Sequence, residues 1–576
     1  MNIYDTPYQN KDIEWRFRHF KKIAKTGIQL MVFCSPDCAS YMDTLLVEFP
    51  NIVVKYMNLS ETWTHRICEE VEEKIGESLV LPNTRSKEKD TREYIILMNA
   101  KTEYLKMAIE QNPWSSTHFA WIDFNIYHIF NGKEQFMNQQ LLTLSQRTFQ
   151  PSFLTLPGSW GTIYVNEHYL INDICWRFCG GFFIGSADRV LEFHKNYEDY
   201  FALFLEEKRK LVWEVNFWAY LELKNRLSAI WYSGDHNESI MEISVKHMAM
   251  KLADKPSCTH TRYTYPDHGD YIPTSTSYLF YKGKHIINTR YVNYWLHPNG
   301  VYHINDPNLY IRTRNFCSIL DKDTFLPIDF KEMVESFSGL QCHGGHIYGL
   351  EDIRLYEHND EIHFIATSIN YSGIGRNRMI TGIYDIELGL ILSAEVLTPP
   401  DPNSWCEKNW IPLTIQNNID VEQTKTLDSN SQQFIYKWNP IEIGSIQKTE
   451  DASNPQLNIN TIFEHRTPFF SNIRGSTPLI ECLEGMIGVV HFSYEDSPRT
   501  YFHMLVLLDK QTYKPLKFSE FFYFNNMSIE FCIGFTIRNE KYHFWLSNFD
   551  RDPELLTVST KDIPLLFDFI TPYSNL

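Results

Sequence analysis

The sequence predicts an α/β region followed by an all-β region, and two observations carry that division. Over the first 245 residues short apolar runs alternate with stretches of helical periodicity, the pattern of strands and helices layered on a sheet. From residue 272 onward the helical periodicity gives way to alternating aromatic strands bounded by polar, Gly and Pro residues. The expected boundaries are 1–245, a linker at 246–271, and 272–576.

In the first region Q-L-M-V-F-C (Gln29 to Cys34) and N-I-V-V-K-Y-M (Asn51 to Met57) are short apolar runs closed by turn residues, each followed by a helical pattern. From Thr91 to Gln111 apolar residues recur at helical spacing (Tyr94, Leu97, Met98, Leu105, Ala108), with no Pro or Gly before Pro113. The spacing predicts one helix running into a strand, S-T-H-F-A-W-I-D-F-N-I-Y-H-I-F, from Ser116 to Phe130. This alternation predicts a largely parallel sheet, whose ligands sit beyond the carboxyl ends of the strands. Asp123 is the one carboxylate in that aromatic run. A buried carboxylate costs several kcal/mol, on the order seen for any unpaired ion, unless a cation or donors compensate it.

In the second region a polar cluster, a spacer and an aromatic strand recur. G-L-E-D-I-R-L precedes H-F-I-A-T-S, N-W-I-P-L precedes F-I-Y-K-W, R-G-S-T-P-L precedes G-V-V-H-F-S-Y, and F-C-I-G-F precedes H-F-W-L-S. T-R-Y-V-N-Y-W with Arg314-Asn315 fits as an earlier unit. Repeats of this kind match a propeller of five blades, with the polar clusters facing a central channel. The polar stretches 414–432 and 447–460 read as surface excursions.

Composition narrows the function classes. Hydrophobic residues make up 43% and aromatics 15%, which excludes a disordered chain. A net charge of −18 argues against a nucleic-acid partner, because phosphate backbones are met by basic surfaces. The 11 cysteines are scattered with no C-x-x-C pair, so neither a disulfide framework nor a structural zinc site is expected. With no signal-peptide pattern and no long apolar run, the expectation is a soluble, cytoplasmic protein, not an integral membrane one.

Candidate polar residues of the first region stand in apolar company: Lys89, Asp90, Lys101, Asp123, Arg177 with Gly180 and Gly181, Glu214, Asn216, and Asp235 with His236. An acid at a strand end, a paired-glycine shelf, a later buried acid and an Asp-His pair together suit a metal-dependent nucleotide-sugar transferase. A hard divalent cation takes carboxylate oxygens, manganese accepts His, and the cation neutralises a diphosphate leaving group. Arg177 can instead pair with Asp173 or Asp90, and His236 can belong to a loop turn. Glu214, among Trp213, Val215, Phe217 and Trp218, reads as catalytic base, donor-sugar contact or helix N-terminal anchor.

On E-K-D-T-R-E-Y-I-I-L-M-N-A-K-T-E-Y-L, H-F-A-W-I-D-F, W-R-F-C-G-G-F-F-I-G, W-E-V-N-F-W-A-Y-L-E and D-H-N-E-S-I, the region resembles the bacterial HtrL/YibB proteins. Those are regarded as glycosyltransferases of the A-type nucleotide-binding fold. The resemblance implies a nucleotide-sugar donor, a glycan acceptor and a divalent cation, manganese or magnesium. It also implies Asp123 as metal and diphosphate carboxylate, Lys89 and Lys101 near the phosphates, and Gly180-Gly181 admitting the sugar. The usual Asp-x-Asp is here Asp123-x-Asn125, so Asn125 either coordinates through its carbonyl oxygen or faces away.

The second region concentrates Arg290, Arg314, Glu351, Asp352, Arg354, Glu407, Lys408, Asn409, Arg474, His491, Tyr494, His503, Glu530 and Asp550 at the expected channel. Glycoside chemistry needs an acid at the bridging oxygen, and a phosphorolytic variant replaces the second carboxylate by a cationic anion pocket. The region resembles the propeller clan of β-mannoside phosphorylases and related mannosyltransferases, since G-L-E-D-I-R-L matches Gly-x-Glu-Asp-Pro-Arg with Ile353 in place of Pro. E-K-N-W-I-P-L and R-G-S-T-P recur in relatives. The resemblance implies Asp352 as proton donor, with Arg354, Lys408, Arg474 and His491 holding inorganic phosphate or a sugar phosphate. Glu351-Asp352-x-Arg354 can otherwise be a salt-bridge clasp closing the ring. The functional expectation is a two-module glycan-synthesis enzyme; the alternative is a single-activity glycosyltransferase whose propeller binds carbohydrate.

Overall fold

A computed structural model describes residues 2–3, 12–130, 132–146, 152–243, 245–247, 249–337, 340, 342–413, 431–448, 454–465, 470–494 and 498–569. The chain divides into two compact units, Met1–Met248 and Ala249–Leu576.

The first unit mixes α and β. Leu30–Cys34 and Ile52–Tyr56 pair in parallel, with Asn2–Ile3 on the other edge of Leu30–Cys34. A second sheet runs in the order His118–Ile122, Phe182–Ser186, Leu154–Gly158, Ile230–Ser233. Phe182–Ser186 is antiparallel to both neighbours, so this sheet is mixed and not the largely parallel one expected. The stretch Ser116 to Phe130 is also shorter as a strand. Pairing stops at Ile122, and Ile126–Ile129 closes into a 3-10 turn that leaves Asp123 at the strand end.

The expected helix at 91–111 is two helices, Arg92–Asn99 and Lys101–Gln111, meeting at Ala100. The Asn99 side chain donates to Ile95 O at 2.8 Å and to Val212 O at 2.9 Å, tying the junction to a distant segment. The break makes Lys101 the first residue of a helix pointed at the core. That core is aromatic: Phe193, Tyr197, Phe201 and Phe204 on Ala187–Lys208 pack against Glu214–Leu223. Residues 214 to 221 are all buried, which makes this a central helix with a carboxylate in its first turn, where the helix dipole favours one.

The second unit is all-β. Its described strands form successive four-stranded antiparallel meanders. Ile272–Tyr281, Lys284–Val292, Ile311–Leu320 and Lys331–Glu335 make the first; Glu351–His358, Glu361–Ser368, Arg378–Asp385 and Leu390–Val396 the second. Ile411–Leu413, Gln433–Trp438, Ile441–Gln447 and Gln456–Phe463 make the third. The fourth is built on Arg474–Gly475, Gly485–Tyr494, Thr500–Leu508 and Pro515–Phe518. Glu530–Arg538, Lys541–Asn548 and Arg551–Ser559 make the fifth, whose outer strand is Thr259–Arg262, taken from before the first meander.

Two expectations change here. The stretch 246–271 is not a passive linker, because Met250–Lys251 and Thr259–Arg262 both pair as strands. The excursion expected at 447–460 contains the start of Gln456–Phe463, where Leu457 and Ile459 alternate with Asn458 and Asn460. Of the excursion at 414–432, residues 414–430 lie outside the described residues.

Candidate functional site

In the first unit the answer to Asp123 is Lys101. Its ammonium donates to Gly180 O at 2.7 Å and to Glu214 Oε1 at 2.8 Å, and lies 3.2 Å from Asp123 Oδ1. The Lys101 side chain is 1% exposed and that of Asp123 34%. Asp123 Oδ1 also accepts the indole N–H of Trp121 at 2.7 Å, and its backbone N–H donates to Gly181 O at 2.9 Å. Burial works against charge on Lys101, yet Asp123 and Glu214 outweigh it and hold its pKa above the ordinary lysine value. Gly180 has no room for a side chain, because a Cβ would fall 2.2 Å from Glu214 Oε1 and 3.0 Å from Lys101 Nζ. Its bareness serves the ion cluster. At Gly181 a Cβ would stand 3.7 Å from Asp123 Oδ2.

The other expected residues separate into rim and framework. Lys89 lies over the ring of Tyr94 at 5.4 Å, beside Asp90. Burial first, then Asp123 and Glu214, push the Tyr94 phenol up, so Tyr94 belongs to the cluster. Asn125 accepts at its backbone carbonyl from His128 Nδ1 at 2.7 Å, and His236 meets the His128 ring edge-on at 5.4 Å. His236 thus reaches the turn after Asp123. Its neighbour Asp235 accepts from Ser159 Oγ at 3.2 Å and from the His236 backbone N–H at 2.7 Å. Among the described residues no group of three or more His, Cys, Asp and Glu stands close enough to hold a metal ion.

The Arg177 guanidinium is held by partners of its own. It makes a two-pronged pair with Glu222, 2.7 Å on each prong, and donates to Trp160 O at 3.1 Å, which also replaces the expected pairing with Asp173 or Asp90. Asn216 likewise spends its amide on Cys175 N, Leu170 O and Asp173 O, bracketing that loop. Trp121 and Tyr94 were legible only in part: Trp121 shares a strand face with Asp123 at a spacing of two, whereas Tyr94 reads as one more apolar helix position.

In the second unit the charges converge from different meanders. Arg290 donates to Asp352 Oδ1 at 3.1 Å and to Glu351 Oε2 at 3.2 Å, and Ser275 Oγ lies 3.3 Å from Asp352 Oδ1. Asp352 has φ +54° at a register shift between Glu351 and Arg354, a bulge that re-aims its side chain. Burial pushes the Asp352 carboxyl up, but Arg290, Lys408 and Arg354 outweigh it and hold it below the usual aspartate value. Asp352 therefore stays ionised. Asp550 is the opposite case: burial raises it, the neighbouring Asp352 and Glu351 add to that, and Arg290 and the Tyr294 hydroxyl only partly offset them. Tyr294 donates to Asp550 Oδ2 at 3.2 Å.

Lys408 Nζ lies 4.0 Å from Glu351 Oε2, and Glu351 foremost holds its pKa up. Lys408, Asn409, Tyr436, Lys437 and Arg474 line a cavity of about 170 Å³. Arg354 is spent on the framework: it donates to Ser476 O at 2.6 Å, Asn409 Oδ1 at 2.9 Å and Asp352 O at 3.2 Å. Burial first, then His503, Arg474 and Arg354, depress the His491 pKa and keep the ring neutral, so it brings no positive charge to an anion; its Nδ1 meets Ser476 Oγ at 2.8 Å. His503 is enclosed by Phe522 and Phe524, and burial lowers it to about 3. Arg314 is clasped by Glu332 at 2.7 and 2.5 Å, Glu407 accepts from Trp410 Nε1 at 3.0 Å, and Tyr494 packs edge-on against Phe492 and Phe502. Glu530 accepts three backbone N–H groups from residues 524 to 526 and holds that turn. These side chains build the walls and not the charged cluster.

Residues 7–209 match the family model HtrL_YibB, described as a bacterial protein of unknown function. Solved structures similar to the C-terminal part include a β-1,2-mannobiose phosphorylase from Listeria innocua, at 13% identity over 52% of this chain and 93% of that one, TM-score 0.34. The mannose phosphorylase MPT-4 from Leishmania mexicana matches at 13% identity over 56% and 95%, TM-score 0.34. A GH43_1 enzyme from Xanthomonas citri matches at 8% identity over 55% and 97%, TM-score 0.32. No curated protein matches the sequence.

Proposed function

We propose that the chain is a glycan-synthesis enzyme with two sites. The first unit is read as an A-type transferase domain that moves a sugar from a nucleotide donor to a glycan acceptor. The second is read as a five-bladed propeller that forms or phosphorolyses another glycosidic bond. The observation that carries the reading is Lys408, which stands beside Glu351 and also lines the cationic cavity with Arg474. An acid and a pocket for a phosphate-sized anion meet at one residue, an arrangement that suits phosphorolysis or transfer from a sugar phosphate.

In the first unit, Asp123 and Glu214 against Lys101 leave a net negative cluster with Asp123 as its more exposed carboxylate, 34% against 8% for Glu214. The described side chains form no ready-made metal site, so a manganese or magnesium ion would arrive with the donor's diphosphate, with Asp123 as its protein carboxylate and Asn125 and His236 as the further candidate ligands. Such an ion supplies charge neutralisation to the departing diphosphate. Lys101 fixes the position of both carboxylates, Trp121 orients Asp123, and Glu214 stands as the candidate base. The 11 cysteines are free thiols, which suits a reducing compartment such as the cytoplasm; no described helix is long and apolar enough to cross a membrane.

A second reading, in which the second unit only holds the glycan, is favoured by Arg354, whose guanidinium is used up in tying inner strands together. One screen separates them: the whole chain against a panel of nucleotide sugars with and without manganese, then against glycosides with inorganic phosphate. Turnover in both arms is expected. Turnover of nucleotide sugars alone leaves the scaffold reading, and turnover in neither overturns the proposal.

A further inference from the structure

We propose that Tyr302 is a sugar-binding residue of the second unit, held over its charged cluster by an arm that crosses from the first meander to the fourth. The role rests on the reading of that unit as a glycoside-acting site. The arm is a hairpin of Tyr294–Leu296 and Tyr302–Ile304, a two-stranded sheet of its own inserted between Lys284–Val292 and Ile311–Leu320. Asn293 closes its neck. The side-chain amide donates to Tyr310 O at 2.8 Å, the amide oxygen accepts from Arg312 N at 2.7 Å, and the backbone carbonyl accepts from Asn305 N at 2.8 Å.

Beyond the neck, Tyr294 donates at 3.2 Å to Asp550 Oδ2, on the turn between Lys541–Asn548 and Arg551–Ser559 of the fifth meander. The tip then reaches the fourth meander, just before Thr500–Leu508, because a Cβ on Gly300 would stand 3.4 Å from Pro498 Cα. Gly300 has φ +80°, a left-handed conformation that glycine adopts without strain. Anchored at neck, middle and tip, the arm is a fixed wall.

Register decides what this wall presents. Tyr294 stands opposite Ile304, Trp295 opposite His303, and Leu296 opposite Tyr302. Side chains alternate along each strand, so Tyr294, Leu296, Tyr302 and Ile304 share the face that meets Asp550. Trp295 and His303 stack on each other at 3.8 Å on the other face. On the inner face Tyr294 and Leu296 are 4% and 3% exposed, whereas Tyr302 is 53% exposed. Its ring is braced by that of Tyr294, with centroids 5.1 Å apart, and its phenol lies in the field of Asp550, Arg290, Glu351 and Arg499. Arg290, the residue that clasps Glu351 and Asp352, sits on the strand leading into the arm.

A half-bare ring on an otherwise buried face, beside carboxylates and a guanidinium, complements a pyranose: the ring takes its apolar C–H face and the charged groups take its hydroxyls. Because Tyr294 already holds the ring, binding costs it little side-chain freedom.

The test titrates the full chain, with phosphate present, against β-1,2-mannobiose and β-1,4-mannobiose by calorimetry, and follows conversion of the same two sugars. Tyr302→Phe keeps the ring and is expected to bind within about twofold of wild type. Tyr302→Leu keeps an apolar contact with Tyr294 but offers no aromatic face, and is expected to bind about tenfold more weakly. Where the sugar is converted, Tyr302→Leu should raise KM about tenfold with little change in kcat. Both variants should melt close to wild type, since the side chain is half exposed. Binding by Tyr302→Leu equal to that of wild type, or an equal loss in Tyr302→Phe, would overturn the aromatic seat alone. A wild type that binds a mannobiose without converting it would sink the catalytic reading of the unit and leave Tyr302 in its role. A wild type that binds neither sugar would overturn both.

Discussion

Asp123 is compensated from inside the fold, by an ammonium that also serves Glu214. Removing that ammonium leaves two carboxylates without a counter-ion. Lys101→Met is expected to destabilise the first unit by about 3 to 5 kcal/mol in urea unfolding; a midpoint like that of wild type would count against the cluster. Asp123→Ala is the milder change, since Lys101 keeps Glu214 and Gly180 O. It should abolish nucleotide-sugar turnover while the unit still melts cooperatively, and retained turnover would remove Asp123 from the donor site. His503 poses a different question. Both ring nitrogens lack a hydrogen-bond partner and burial depresses the ring to about 3, so the folded protein keeps it neutral while the unfolded chain takes up a proton. Its penalty is absent above the usual histidine range and grows as pH falls toward the folded value. His503→Leu should therefore raise the melting temperature more at pH about 5 than at pH about 8, and equal gains would contradict the linkage.

Among the elements, Thr259–Arg262 is a four-residue strand paired far along the chain from its own position. It covers the edge of Arg551–Ser559, with Arg262 opposite Glu554 and His260 Nδ1 3.1 Å from Glu554 Oε2. Deleting residues 259–262 should lower the melting temperature of the second unit and promote association through the bared strand, read by calorimetry and light scattering. Unchanged melting would mean that the strand is dispensable. The sequence hid this element inside a polar stretch taken for a linker, as it hid Gln456–Phe463 behind its asparagines. In the second case the alternation of Leu457 and Ile459 was present, but composition outweighed it. The junction at Ala100 could not be read, because Asn99 bonds Val212, far along the chain.

At the scale of the molecule, two compact units carry separate charge clusters. Asp352→Asn should silence conversion of glycosides and leave nucleotide-sugar hydrolysis at the wild-type rate; a joint loss would mean that one activity depends on the other. The amino-acid order alone determined the division into α/β and all-β regions, the recurrence of strand units, and two conspicuous acid positions, the lone Asp123 in its aromatic run and the Glu351-Asp352 pair. These are local properties, written in periodicity and in the residues flanking each acid. Only the tertiary structure decided which partner each charge meets. Lys101 and Glu214 are 113 residues apart, Arg290 and Asp352 are 62 apart, and Tyr294 and Asp550 are 256 apart. A sequence shows that Arg177 and Asp352 are charged; packing decides that Glu222 consumes the first and that Arg290 keeps the second ionised, because pairing energy depends on distance and burial across the fold.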